Sequence, residues 1–133
     1  MIYLIVSTLY LLFLAGAYFI VPDRKKTTLG KLNRFAILVP AHNEEMLIAR
    51  LCESLLEIHY PRNMYEIFII ADNCADRTVE ICSSFPMNVL IRNDAIHSGK
   101  GYAIDWSLGR ISLEKFDAVL MVDADNKVDP NIL

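Results

Sequence analysis

Four short apolar segments alternate with three segments of helical periodicity between residues 35 and 122. The apolar segments are 35–39, 66–71, 87–92 and 117–122. Their length and their content of Ile, Val and Phe indicate buried β-strands. Strands that alternate with helices run in the same direction, because each helix carries the chain back across the sheet. The pattern therefore predicts an α/β fold with a parallel sheet and helices on both faces.

The first helical segment has a predictable start and a predictable inward face. Asn43 is predicted to be its N-cap, with Glu44 and Glu45 in the first turn, where the helix dipole favours carboxylates. Helical spacing predicts that this helix buries five apolar residues: Met46, Leu47, Leu51, Leu55 and Ile58.

Two further helices are predicted at about 75–84 and 99–111. The earlier of the two is expected to turn Val79 and Ile81 towards the core. Asp76 is expected to cap this helix or to interact with its dipole.

Four loops follow the four strands, and a parallel sheet with right-handed crossovers places all of them at one edge. They are residues 40–45, 71–78, 93–103 and 123–126. Ligands of open α/β sheets bind at this edge, outside the carboxyl ends of the strands. The loops bring several carboxylates there, and crowded carboxylates repel each other unless a cation joins them. The loops therefore predict a site for a divalent metal and a phosphate-bearing ligand.

Other classes of binding protein do not fit these loops. A dinucleotide site needs G-x-G-x-x-G after the first strand, but residues 41–46 contain no glycine, which also disfavours a nucleotidyltransferase. Residues 99–101, Gly-Lys-Gly, lack the upstream glycine and the hydroxyl of a P-loop. The net charge of −3 argues against a nucleic-acid partner. Three scattered cysteines suit a reducing compartment: Cys52, Cys74 and Cys82.

The amino-terminal segment predicts an association with a membrane. Residues 1–21 contain no charged side chain and reach the ~20 residues that a helical span takes. Residues 24–26 are Arg-Lys-Lys, and positive charge beside a span favours a cytosolic flank. We predict a transmembrane signal-anchor at 1–21, a basic juxtamembrane linker at 22–34, and a single-pass cytoplasmic-membrane protein with a cytosolic globular part. A cleaved signal peptide is the alternative, because Ala-Gly-Ala at 15–17 offers a small-x-small pattern.

Four motifs, ILVPAHNEE, YPRNMYEIFIIADNCADRT, GKGYAID and VLMVDADN, resemble in order and spacing the amino-terminal half of the inverting family 2 glycosyltransferases. The resemblance covers about residues 35–126. It implies a Rossmann-like GT-A domain at 35–133 and a nucleotide-sugar donor, with UDP-sugar expected. It also implies Mg²⁺ or Mn²⁺ and transfer of a hexosyl group to a lipid or polysaccharide acceptor with inversion.

The resemblance implies a role in nucleotide-sugar binding for residues of the first three loops. His42 falls where an aromatic ring stacks on uracil, and Glu44 lies beside it. Asp72 matches the aspartate that accepts a hydrogen bond from N3–H of the base, and Lys100 matches a lysine that contacts the nucleotide. Three of these residues have a structural alternative: Glu44 could serve a helix dipole, Asp72 could form an Asx turn, and Lys100 could be a solvated lysine.

The last loop carries a D-x-D motif. The resemblance implies that Asp123 faces the ribose and the sugar and that Asp125, together with Asp123, binds the metal. Residues i and i+2 of an extended segment point to the same side, so both carboxylates can address one ligand while Ala124 turns away. The alternative is a polar turn at the end of a strand.

The chain also departs from the family pattern. Many relatives carry two aspartates and a glycine in the second loop, where this chain has Asp72, Asn73 and Cys74. The family's catalytic base lies well beyond the D-x-D motif, so we expect it beyond Leu133. The alternative function is a noncatalytic nucleotide-sugar binding module or an inactive fragment of the enzyme.

Overall fold

A computed structural model describes residues 2–20 and 32–133, which belong to two separate compact units. The first unit contains helix α1, Ile2–Ile20. This helix has 19 residues, against the ~20 that a bilayer span takes. Across residues 2–20 and 32–133, no helix is long and apolar enough to cross a membrane. Val21 of the predicted anchor and the basic cluster at 24–26 lie outside the described residues.

The second unit is an α/β domain in which strands and helices alternate as predicted. All strand pairs are parallel, and the strand order is β3-β2-β1-β4. Short 3₁₀ turns at Arg62–Met64 and Leu113–Lys115 precede β2 and β4. The elements are β1 (Phe35–Ala41), α2 (Ile48–Leu56), β2 (Tyr65–Asp72), α3 (Thr78–Ser83), β3 (Asn88–Arg92), α4 (Lys100–Leu108) and β4 (Ala118–Met121).

The sheet has a hydrophobic cluster on each face because successive side chains of a strand point to opposite sides. Ile37 and Val39 of β1 pack with residues of α2 and α3, whereas Ala36 and Leu38 pack with Ala103 of α4. These four residues of β1 are fully buried. Full burial of each large aliphatic side chain contributes about 1.5–3 kcal/mol. The central strand is therefore covered twice, as its continuous apolar sequence predicts.

The edge strand β4 is less buried than its apolar sequence predicts. Val119 is 46% exposed and Met121 is 48% exposed. Within the described residues β4 pairs only with β1, where its ladder covers Phe35 to Leu38. An apolar segment at the edge of the sheet is thus less buried than the same composition in the centre.

Helix α2 begins later than predicted. Asn43 has a positive φ of 54°, and the helix starts at Ile48, whose amide donates to the Glu44 carbonyl at 2.9 Å. Met46 is 86% exposed because it lies in the turn that precedes the helix. Ile48 instead joins the buried face, where Leu51, Leu55 and Ile58 lie as predicted.

The start of α2 is held by side chains of the loop that follows β2. The Glu44 amide donates to Thr78 Oγ1 at 2.7 Å, and the Glu45 amide donates to Asp76 Oδ2 at 3.0 Å. The N-cap position of α3 is Arg77, and Asp76 Oδ1 accepts from the Thr78 amide, the first of the helix, at 3.0 Å, so Asp76 interacts with the start of α3 as predicted. Because residues 74–77 form this cross-loop connection, α3 is shorter than predicted and buries Thr78 and Cys82 rather than Val79.

Replacement of the fully buried Thr78 by valine tests this connection. Thr78→Val keeps the shape of the side chain but leaves the Glu44 amide without its acceptor. We expect the free energy of unfolding to fall by about 1–2 kcal/mol, measured by urea denaturation. Ser83→Ala is the control, because it removes an exposed hydroxyl that bonds to the Val79 carbonyl and should change stability by less than about 0.5 kcal/mol. Equal stability of Thr78→Val and the wild type would show that the cross-loop bond contributes nothing.

Candidate functional site

A cavity of about 560 Å³ lies at the carboxyl edge of the sheet. The strand order reverses between β1 and β4, and such a reversal opens a crevice at this edge. All four predicted loops contribute to the cavity. Its walls include all six residues to which the sequence assigns ligand or metal binding: His42, Glu44, Asp72, Lys100, Asp123 and Asp125. The structure therefore brings these residues together, and their individual roles stay predictions.

The His42 ring is held by two hydrogen bonds. Its Nδ1 lies 2.7 Å from the carbonyl oxygen of Asp72, and its Nε2 lies 3.2 Å from Nδ2 of Asn43. Because the carbonyl oxygen can only accept, Nδ1 carries the proton, and Nε2 then accepts from the Asn43 amide. These bonds correspond to the neutral imidazole and fix the orientation of an exposed ring in the cavity wall.

Asp72 is a buried carboxylate with a cationic partner. It is 5% exposed, and its Oδ1 accepts from Arg92 Nη1 at 2.6 Å and from Asn73 Nδ2 at 3.1 Å. Arg92 is itself 4% exposed. A buried charge is tolerated only when it is paired and hydrogen-bonded. Within residues 32–133 no hydrogen bond engages Oδ2 of Asp72, so this oxygen is the acceptor available to a ligand.

Asn73 explains why the second loop departs from the family pattern. Its φ is 50°, a conformation that asparagine tolerates better than most residues. Its Nδ2 donates to Asp72 Oδ1 and, at 3.0 Å, to the Asp94 carbonyl, while its Oδ1 accepts from the Asp94 amide at 2.7 Å. An aspartate here could not donate these bonds. The sequence indicates no such role, although asparagine at the end of a strand is compatible with a positive φ.

Asp94 organises the third loop ahead of α4. Its Oδ1 accepts from the amides of Ile96 and His97, both at 3.0 Å. Its Oδ2 accepts from Arg92 Nη2 at 3.0 Å and lies 3.2 Å from Nδ1 of His97. The His97 amide is the main cause that holds the pKa of Asp94 below its ordinary value, with help from the His97 ring and the Ile96 amide against partial desolvation. His97 thus helps to order this loop.

Lys100 connects the third and fourth loops. Gly99 precedes it with a φ of 115°, which residues with a Cβ rarely adopt, and α4 begins at Lys100. The Lys100 ammonium donates to Asp123 Oδ1 and forms an ion pair with it across the cavity. Both side chains are about half exposed, so water screens this pair.

The D-x-D segment forms a turn and not the predicted extended segment, because the Asn126 amide donates to the Asp123 carbonyl at 3.1 Å. Ala124 is 4% exposed and belongs to the core, whereas Asp123 and Asp125 are exposed. Among the described residues, the Asp125 carboxylate has no hydrogen bond or ion pair. Neither do residues 2–20 and 32–133 contain a group of three or more His, Cys, Asp or Glu that could hold a metal. Because Mg²⁺ is usually held by one or two carboxylates together with substrate phosphates, the pair fits a metal that binds with a diphosphate.

Comparisons with known proteins identify the family. Residues 36–133 match the family described as glycosyl transferase family 2. The chain therefore belongs to glycosyl transferase family 2, which confirms the family that the four motifs predict.

Individual relatives and solved structures resemble this chain over most of its length. The beta-monoglucosyldiacylglycerol synthase of Trichormus variabilis is 33% identical over 114 residues, which cover 82% of this chain and 24% of that protein. The mannosyltransferase PcManGT of Pyrobaculum calidifontis, in complex with GDP-Man and Mn²⁺, has a TM-score of 0.68 at 21% identity, covering 88% of this chain and 35% of that chain. Residues 1–349 of S. aureus TarS, in complex with UDP-GlcNAc, have a TM-score of 0.61 at 24% identity. This match covers 73% of this chain and 28% of that chain.

These structures show the shared Rossmann-like GT-A fold. The chain spans only about a quarter of the length of the first curated relatives it matches, 25% and 24%.

The low pKa of Asp94 predicts a pH dependence of stability. A carboxyl whose pKa is lower in the folded state stabilises the fold above its unfolded pKa, and this contribution is lost as the pH falls through the folded value. We expect the carboxyl carbon of Asp94 to titrate with a midpoint below 3.8, measured by NMR on the folded protein. As the pH is lowered from about 5 to about 2, the free energy of unfolding should fall less for Asp94→Asn than for the wild type. A midpoint at or above 3.8 would contradict the assigned hydrogen bonds.

Proposed function

We propose that this chain forms the donor-binding part of a metal-dependent glycosyltransferase that uses a UDP-sugar. The transferred group is a hexosyl unit, the reaction inverts the anomeric centre, and the acceptor is a lipid or a polysaccharide. Family membership supports glycosyl transfer. The observation that carries the donor site is that four loops bring a buried carboxylate, a lysine and a D-x-D pair to one cavity.

The base would bind beside β1 and β2. Asp72 offers the free Oδ2 as an acceptor, which suits N3–H of uracil, and His42 presents a fixed ring at the same wall. Glu44 lies beside them in the cavity wall. The complex of S. aureus TarS with UDP-GlcNAc supports a uridine nucleotide as the donor.

The diphosphate would bind between α4 and the D-x-D segment. Lys100 supplies a cation at the start of α4, where the amino end of a helix also favours negative charge. Asp125, with Asp123, would hold Mg²⁺ or Mn²⁺, which acts as a Lewis acid towards the departing diphosphate. The Mn²⁺ in the PcManGT complex supports this assignment.

The proposal also includes a lipid acceptor and a location at a membrane. The name of the Trichormus variabilis relative, a beta-monoglucosyldiacylglycerol synthase, supports a lipid acceptor. The uncharged residues 1–21 and the Arg-Lys-Lys at 24–26 support action at a membrane with residues 32–133 in the cytosol.

Substitution of Asp125 tests the metal and donor assignments together. In the full-length protein, Asp125→Asn removes the free carboxylate while keeping the size of the side chain. We expect the affinity for UDP in the presence of Mn²⁺ to fall by more than about tenfold. Loss of a residue that only hydrogen-bonds to a metal ligand already lowers metal affinity by about that factor. The measurement is isothermal titration calorimetry with UDP, with and without Mn²⁺.

Asp129→Asn is the matched control. It makes the same change four residues further along, outside the cavity, and its Oδ1 can still accept from Asn131. This variant should bind UDP and Mn²⁺ like the wild type. Unchanged metal-dependent binding in Asp125→Asn would remove Asp125 as a metal ligand, and a wild type that binds no nucleoside diphosphate would contradict the proposed donor site.

A further inference from the structure

Arg92 is a charged residue at the end of an otherwise largely apolar strand, β3. Its side chain is 4% exposed. Its Nη1 donates to Asp72 Oδ1 at 2.6 Å, and its Nη2 donates to Asp94 Oδ2 at 3.0 Å and to the His97 carbonyl at 2.5 Å. Its buried Nε has no hydrogen-bond partner. The guanidinium is thus anchored through its two terminal nitrogens.

The partners of Arg92 belong to two different loops of the cavity. Asp72 ends β2 and lines the cavity directly. Asp94 and His97 belong to the loop that leads to Gly99 and Lys100, which line the cavity too. One buried cation therefore joins the base-binding carboxylate to the segment that presents the phosphate-binding lysine.

We propose that Arg92 is a positioning residue for donor binding, and this inference rests on the proposed function. Arg92 is not among the residues that line the cavity, so it acts through Asp72 and the third loop. It occupies Oδ1 of Asp72 and thereby presents Oδ2 to the ligand. The planar guanidinium donates in fixed directions to both loops, which a single ammonium cannot reproduce.

A fixed acceptor gives the site a preference among pyrimidine bases. Uracil carries a donor at N3, which Oδ2 of Asp72 can accept, whereas N3 of cytosine is itself an acceptor and would face the carboxylate without a hydrogen bond. If Arg92 holds this oxygen in place, loss of Arg92 weakens the preference for UDP over CDP. A role in stability alone would lower the resistance to unfolding and leave that preference unchanged in the folded protein.

The experiment compares Arg92→Lys and Arg92→Gln with a matched control, Arg34→Gln, in the full-length protein. Arg34 forms an ion pair with Glu66 at 2.7 Å and also has a buried Nε without a hydrogen-bond partner. It precedes β1 and so lies at the opposite edge of the sheet from the cavity. Dissociation constants for UDP and CDP are measured by calorimetry with Mn²⁺, and folding is monitored by circular dichroism.

We expect the UDP affinity of both Arg92 variants to fall by roughly tenfold or more, the order of one lost hydrogen bond to a charged group. We also expect the ratio of the CDP and UDP dissociation constants to fall towards one. Arg92→Lys keeps a positive charge beside Asp72, so it decides the question if Arg92→Gln does not fold. Arg34→Gln should keep both the wild-type affinity and the wild-type ratio.

Two results would overturn the inference in distinguishable ways. A folded Arg92→Lys with wild-type affinity and ratio would show that Arg92 does not position the base-binding carboxylate, while the donor site itself would stand. A wild-type protein that binds neither nucleotide would contradict the proposed function, and the role of Arg92 would fall with it.

Discussion

The burial of β1 between β2 and β4 is the constraint on which the rest of the domain depends. Its residues 36–39 are fully buried, and the strand is paired in parallel on both sides. Because β2 and β3 extend the sheet to one side and β4 joins the other, α2 and α3 cover one face and α4 the opposite face. The same reversal separates the loops that follow β1 and β4, and the cavity opens between them.

Much of this arrangement is predictable from apolar periodicity, since strands, helices and their connecting loops follow from local patterns. The start of α2 at Ile48 is not, because it is set by Thr78 and Asp76, which are distant in sequence. The burial of Ala124 between two exposed aspartates follows from the local pattern, although a turn and not an extended segment produces it. The roles of Asn73 and Arg92 do not, since their partners are defined only by the fold; a cation at the end of an apolar strand was the available signal.

The electrostatics of the cavity explain where a ligand cation could bind. Arg92 compensates the buried charge of Asp72, and Lys100 pairs with Asp123. Among the described residues, the carboxylates of Glu44 and Asp125 line the same cavity without a cationic partner. A divalent metal beside Asp125 would supply the missing positive charge and would attract a diphosphate, which Lys100 and the start of α4 also favour. In the proposed function, this arrangement of charges would accommodate a nucleoside diphosphate together with its metal.

The central claim is that the four loops form one binding site for a nucleotide-sugar donor and its metal. A crystal structure of the full-length protein with UDP and Mn²⁺, with anomalous data collected at the manganese edge, tests it most directly. We predict a manganese peak within bonding distance of the Asp125 carboxylate and a uracil ring beside His42, with its N3 facing Asp72. Manganese and nucleotide bound together at a different surface, or no nucleotide in this cavity at saturating concentration, would contradict the claim.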